Sequence, residues 1–389
     1  MTGHNIVSVS WGDHLMFGEV DGRLNTLAAV RRRMDVWREK LGASIIHWRA
    51  QGVYVERHLH VGDCREHPRF FVGSNLDWNA LQSVPELAHE AGLEAYLYLS
   101  LFDEGWPLPP PVVRAVSYHN AMHGQHVSWQ TAFCRDHPEF MVVDRSGRNR
   151  QWGVSCLAYP EVRAHFRDRF LSLLDGTGFD GLFVCLRSQS RPADFADQYG
   201  FNELVRRDYR KRFGKDLGDP DFDVQAWRDL LGEYLTTFLA ELRAVLLERK
   251  LGLAVGAARG DVLGPPLGNA PLQWREWVER DLVDELVINQ NSSRCPSMWH
   301  DLWPMHRGSG YLQNYLDGSG LPPLGEHVKD VYAKVFAGNR AKLYIARQWD
   351  HRDEATEAAL SALPAVNGLV FSSFRHDNPG PIARGDWQA

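Results

Sequence analysis

The sequence predicts an α/β fold, a (β/α)8 TIM barrel. Three observations predict it. Eight short runs rich in β-branched and aromatic residues recur along the chain and alternate with helical stretches. Most of the runs end in polar or charged residues, where barrels of this class build their sites. At 389 residues the chain exceeds the about 250 of a bare barrel, which leaves length for insertions.

The first run is 5–11 (NIVSVSW). A helix over 22–42 follows, with Leu24, Leu27, Val30, Met34, Trp37 and Leu41 at helical spacing and Gly42 as its stop. The second run, 44–48 (SIIHW), leads into a polar loop at 51–77 and a short helix over 80–91. The third run is 94–101 (EAYLYLSL).

Residues 103–159 are the largest interruption. Within them 140–152 alternate and turn at Ser146 and Gly147, which predicts a β-hairpin. Long ordered insertions after barrel strands form walls or lids of a site. A helix over 160–174 precedes the fourth run, 181–186 (GLFVCL), and helices over 201–213 and 224–250 follow it.

The fifth run, 253–257 (LAVGA), precedes a helix over 274–280 and the sixth run, 285–289 (ELVIN). A loop with Trp299, Trp303, Tyr311 and Tyr315 then leads to a helix over 325–337. The seventh run, 342–346 (KLYIA), a helix over 354–363 and the eighth run, 368–374 (GLVFSSF), complete the set. No internal repeat, low-complexity tract or linker interrupts it, so a single domain over 1–389 with an insertion at about 103–159 is predicted.

A 44% hydrophobic, 24% charged composition is that of a globular protein able to bury a large core. The net charge of −6 argues against a nonspecific nucleic-acid or membrane-surface binder, which carries a basic stripe. No apolar run approaches the ~20 residues of a membrane helix. The start lacks a basic segment followed by an apolar one, so a cytoplasmic location is the default expectation; removal of a leader would make it secreted or periplasmic.

Cys64, Cys134, Cys156, Cys185 and Cys295 are widely spaced and odd in number, which predicts reduced thiols rather than a disulfide framework. The His119/His123 interval suits one helical face, but its flanks are not a zinc motif, and no metal is assigned. No phosphate loop, dinucleotide fingerprint or nucleophile elbow occurs, and no cofactor is expected. Fourteen Trp, 12 Tyr and 18 Phe suit either a core or a cleft that grips sugar faces.

Residues 137–147 (HPEFMVVDRSG), 158–163 (AYPEVR) and 179–182 (FDGL) occur in an order that resembles the family-ten-like glycosyl hydrolases, glycoside-hydrolase-like (β/α)8 proteins. Residues 198–203 (QYGFNE) and 233–242 (EYLTTFLAEL) resemble one uncharacterised branch of them, and the likeness covers roughly 130–245. The resemblance implies a barrel that cleaves a glycosidic bond in an oligo- or polysaccharide, with a carbohydrate as its partner. It also implies an acid late in the fourth strand. Here that run reads FVCLRS over 183–188, with Cys185 near the place of the carboxylate.

Glycoside hydrolysis needs a proton donor for the leaving oxygen and a second carboxylate as nucleophile or base. Asp261 and Asp350, beyond the fifth and seventh strands, are the leading pair, with Glu104 and Glu203 in reserve; Glu203 is equally placed to fix a helix start. Asp13, Asp103, Asp194, Asp197 and Asp377 are further strand-end acids. Arg49, Arg187, Arg259, Arg347 and Arg375 follow five of the eight strands. Guanidinium forks bind carboxylate and sulfate bidentately, so an anionic glycan, uronate-containing or sulfated, is expected. His47, Trp48, Asn289, Asn291, Gln348, His351 and His376 are placed to bind hydroxyls, and Trp11 and Trp349 to stack on sugars. Two rivals stand beside this reading: a lyase or isomerase acting on a uronate, and a noncatalytic carbohydrate-binding barrel.

Overall fold

The computed structural model describes residues 4–9, 24, 26–49, 58–61, 80–102, 104, 128–186, 197–264, 267–290, 321–347 and 354–372. Eight parallel strands close into a barrel: β1 (Asn5–Val9), β2 (Ala43–Arg49), β3 (Glu94–Ser100), β4 (Gly181–Cys185), β5 (Gly252–Gly256), β6 (Glu285–Ile288), β7 (Lys342–Ala346) and β8 (Val366–Ser372). Each strand pairs with its neighbours in sequence, and β1 pairs with β8 through Ile6–Val370, Val7–Phe371 and Ser8–Ser372. The predicted α/β barrel is therefore the observed fold.

Side chains alternate between the two faces of each strand. Ile6, Ile45, Tyr96, Tyr98, Phe183, Cys185, Ala254, Val287, Tyr344 and Val370 fill the barrel as one buried cluster. The intervening residues, such as Val7, Ile46, Trp48, Leu97, Leu182 and Leu286, join the larger core under the helices. Gly181 and Gly252 make room for Tyr96: a Cβ at Gly252 would sit 2.4 Å from the tyrosine oxygen.

Helices α1 (Leu27–Leu41), α2 (Ala80–Glu90), α3 (Pro160–Leu174), α4 (Glu203–Phe213), α5 (Val224–Glu248) and α6 (Trp274–Glu279) link the strands through β6. Helix α1 starts five residues later than its periodicity predicts because Thr26 caps it, accepting from the Ala29 amide at 3.1 Å. It ends where predicted, with Gly42 in the left-handed region at φ 60°. Asp223 caps α5 through the Gln225 and Ala226 amides. The helix predicted over 325–337 forms as α7 in three segments: Leu324–His327, a π-helical Val328–Tyr332 and Ala333–Phe336. The helix between β7 and β8 is α8 (Glu354–Ser361).

The predicted hairpin pairs Met141–Val143 with Arg150–Ser155, and Gly147 takes φ 72° at its turn. Asp144 fastens the turn, accepting from the Ser146 hydroxyl at 2.8 Å and the Arg148 amide at 3.1 Å. Two antiparallel pairings were not legible in the sequence: His58–Val61 with Ser128–Thr131, and Val262–Gly264 with Gly268–Pro271. Strands of three or four residues are too short to show an alternating pattern. Residues 105–127 of the 103–159 stretch lie outside the described residues. Cys134, Cys156 and Cys185 are buried, and Cys64 and Cys295 lie outside the described residues. Among the described residues no helix is long and apolar enough to cross a membrane.

Glu285, the first residue of β6, shares the inward parity of Val287 and is buried. Burial pushes its carboxyl up to about 8, against the pull of Lys342 and with the help of Glu94 and Asp284. Its ordinary value is 4.5, so between these values the native state holds a proton that the unfolded chain lacks. The group's contribution to stability is complete below that window and falls as pH rises through it. Glu285→Gln is expected to flatten this loss, seen as urea midpoints that differ less between about pH 5 and pH 8 than in the parent protein.

Candidate active site

The carboxyl ends of the strands form the mouth, where barrel enzymes carry their chemistry. On β2 the alternation sends Ile45, His47 and Arg49 inward and Trp48 outward. His47 stacks on Phe183 with centroids 4.1 Å apart, and the Tyr98 ring meets Phe183 edge-on at 4.9 Å. The Arg49 guanidinium lies 5.2 Å from the centre of the Tyr98 ring. The Trp48 indole is fully buried in the layer between strands and helices, so it presents no face to a ligand in the mouth.

The His47 imidazole is also fully buried, and neither ring nitrogen has a hydrogen-bond partner among the described residues. Burial pulls its pKa down to about 3, so the ring is neutral at physiological pH. A buried polar group left unpaired costs about 1–3 kcal/mol.

At the end of β4, the Cys185 thiol donates to Gln290 Oε1 at 3.4 Å. Gln290 is buried although the strand parity would place Asn289 inward instead. Asn289 takes φ 65°, a left-handed conformation that breaks the alternation, and its own amide donates to the Ala346 carbonyl at 2.9 Å. Gly256 leaves the space: a Cβ there would lie 2.3 Å from Gln290 Oε1 and 2.5 Å from the Phe183 ring. A thiol–amide pair thus occupies the region where the resemblance places an acid.

Beyond β5, Asp261 stands with its side chain 60% exposed. Oδ1 accepts from the Trp274 indole at 2.9 Å and Arg275 at 2.7 Å, and Oδ2 has a longer contact of 3.4 Å with Arg275. Partial burial pushes its pKa upward, but the hydrogen bonds from Arg275 and Trp274 outweigh this and the carboxyl ends below its ordinary value. The same bonds tie the β5 loop to the start of α6, helped by the Leu272 amide on the Asp261 carbonyl at 2.9 Å.

Around it, Trp274 stacks on Tyr332 at 4.4 Å, and the Tyr332 hydroxyl accepts from the Gly260 amide at 2.9 Å. His327, in the first segment of α7, packs against Tyr332 at 5.3 Å. Burial lowers its pKa, and Arg259 and Arg275 lower it further against the pull of Asp261. His327 and Gln290 stand in no sequence motif; Gln290 reaches Cys185 inside the barrel, and His327 packs beside Tyr332 near Asp261.

Glu104 is wholly buried, accepting from Arg169 at 2.6 Å on one oxygen and from the Thr131 hydroxyl at 2.5 Å on the other. Both oxygens are engaged inside the protein, which is the geometry of an anchor between β3, the 128–131 strand and α3. Glu203 is exposed at the first position of α4, where a carboxylate complements the helix dipole. Asp197 accepts from Arg228 and from Asn269 Nδ2 at 3.0 Å.

Of the arginines, Arg49 enters the barrel, Arg259 donates to the Pro322 carbonyl, and Arg347 lies 3.9 Å from Glu357 of α8. The structure thus brings His47, Arg49, Cys185, Asn289 and Gln290 to the barrel mouth and turns Trp48 away from it. Asp350, Arg187, Asn291, Gln348, His351 and Arg375 lie outside the described residues.

No protein-family model and no curated protein matches the sequence. Among solved structures, the chain is similar to the glycoside hydrolase domain of PgaB (BpsB) from Bordetella bronchiseptica, with a TM-score of 0.51 at 14% identity over 95% of this chain and 93% of that one. Alpha-L-fucosidase isoenzyme 2 from Paenibacillus thiaminolyticus gives 0.46 at 12% identity, over 99% of this chain and 48% of that one. The GH36 alpha-galactosidase AgaA from Geobacillus stearothermophilus gives 0.43 at 9% identity, over 94% of this chain and 38% of that one. The structural neighbours are glycoside hydrolases, and at these identities the likeness is one of fold.

Proposed function

We propose that this barrel cleaves a glycosidic bond in an oligo- or polysaccharide by carboxylate acid–base catalysis, as a family-ten-like glycosyl hydrolase. The observation that carries the reading is Asp261: an exposed carboxylate at the carboxyl end of β5, oriented by two donors and kept anionic. A carboxylate held ionised suits the nucleophile or base, and leaves Asp350, which follows β7 in the sequence, as the proton donor. The glycoside hydrolase neighbours support a carbohydrate-acting barrel, though fold by itself does not decide function.

The preferred substrate is an anionic glycan, uronate-containing or sulfated. Arg49 supports this, because its guanidinium faces into the barrel, and Arg187 and Arg375 follow β4 and β8 in the sequence. A noncatalytic carbohydrate-binding barrel is the second reading, favoured by Cys185 and Gln290 where the resemblance places an acid.

The test is product analysis after incubating the purified protein with neutral, uronate-containing and sulfated glycans. Hydrolytic release from the anionic glycans is expected. A product with a new ultraviolet-absorbing double bond would replace hydrolysis with elimination on a uronate. Tight binding without release would favour the second reading.

A further inference from the structure

His47 has a polar edge that nothing in the described fold uses. Its ring packs on Phe183 as a phenylalanine would, yet both nitrogens are buried without a partner among the described residues. Its neighbours do not require an imidazole: Ile45, Tyr96, Tyr98 and Phe183 surround the same inward layer with apolar surface. A residue serving packing alone would be apolar here, because an unpaired buried polar group opposes folding.

The neighbouring strand is partly exposed at the same register. Ser8, the register partner of His47 on β1, shares the inward parity of Ile6 and is partly exposed. Ala346 on β7 packs against the interior cluster and is also partly exposed. Ser8 is thus a partly exposed inward position beside His47, which itself lies one inward position below Arg49 on β2.

We propose that His47 is a ligand-contacting residue, whose ring nitrogens exchange hydrogen bonds with the hydroxyls of a sugar seated in the mouth beneath Arg49. The neutral ring suits this, since it offers one N–H donor and one acceptor nitrogen to a group that both donates and accepts. The inference rests on the carbohydrate reading above and names a contact within it.

The test pairs stability with binding. His47→Phe, His47→Leu and His47→Gln are compared with the parent protein by thermal unfolding and by calorimetric titration with the same glycan panel. The apolar variants are expected to melt no lower than the parent while their Kd for the bound glycan rises about tenfold or more. His47→Gln, which keeps a donor and an acceptor, is expected to recover part of that affinity and guards against a packing fault in the larger substitution. Apolar variants that melt lower but bind the glycan with unchanged affinity would overturn the inference and leave the carbohydrate reading standing. A parent protein that binds none of the glycans would remove the carbohydrate reading and this contact with it.

Discussion

Arg169→Ala is expected to destabilise the protein by about 3–5 kcal/mol, the cost of leaving a buried carboxylate without its partner. Glu104 is wholly buried and accepts from Arg169 and Thr131, so removing the guanidinium strands a charge that solvent cannot reach. Glu104→Gln is expected to cost less, because a neutral amide still bonds to Thr131. The double change Glu104→Leu with Arg169→Met removes both charges and is expected to recover much of the loss. Urea midpoints of the four proteins check this. The result bears on function as well: any activity lost in Glu104→Gln should follow the folded fraction, since this carboxylate is enclosed by the fold. A folded Glu104→Gln protein without activity would return Glu104 to the catalytic candidates.

Asp261→Asn is expected to lower turnover of the responsive glycan by a factor on the order of 10²–10⁴, the contribution of a positioned acid or base. The amide keeps the size of the carboxylate and can still accept from Trp274, so the fold should persist. Arg275 provides a second reading of the same group. Partial burial raises the Asp261 pKa and the hydrogen bonds from Arg275 and Trp274 lower it, with the net shift downward. Arg275→Gln removes the first of those bonds, so the pKa is expected to rise. The acidic limb of the pH–rate profile should then move to higher pH. A residue that merely braced α6 would lose stability on this change without moving that limb.

The barrel was legible because eight buried strands and the helices between them carry strong periodic signals, and because α3 begins at Pro160 and α1 ends at Gly42. The site was less legible for specific reasons. Trp48 and Arg49 are adjacent, and a one-residue step along a strand turns one into the core and the other into the barrel. Arg347 and Glu104 have the strand-end positions of functional residues, but their partners, Glu357 and Arg169, stand on other elements and become visible only in three dimensions. Gln290 depends on the left-handed backbone of Asn289 and on the missing side chain of Gly256, two conditions that no spacing rule reports. Short pairings such as His58–Val61 with Ser128–Thr131 depend on a distant partner rather than on local pattern.

The most direct test of the central claim is the rate of reducing-end release from the anionic glycans by the parent protein, Asp261→Asn and Asp350→Asn, each confirmed folded by circular dichroism. Release by the parent that falls sharply in both variants is the predicted result. Release that continues undiminished in both would contradict the assignment of these two carboxylates to the bond-cleaving step.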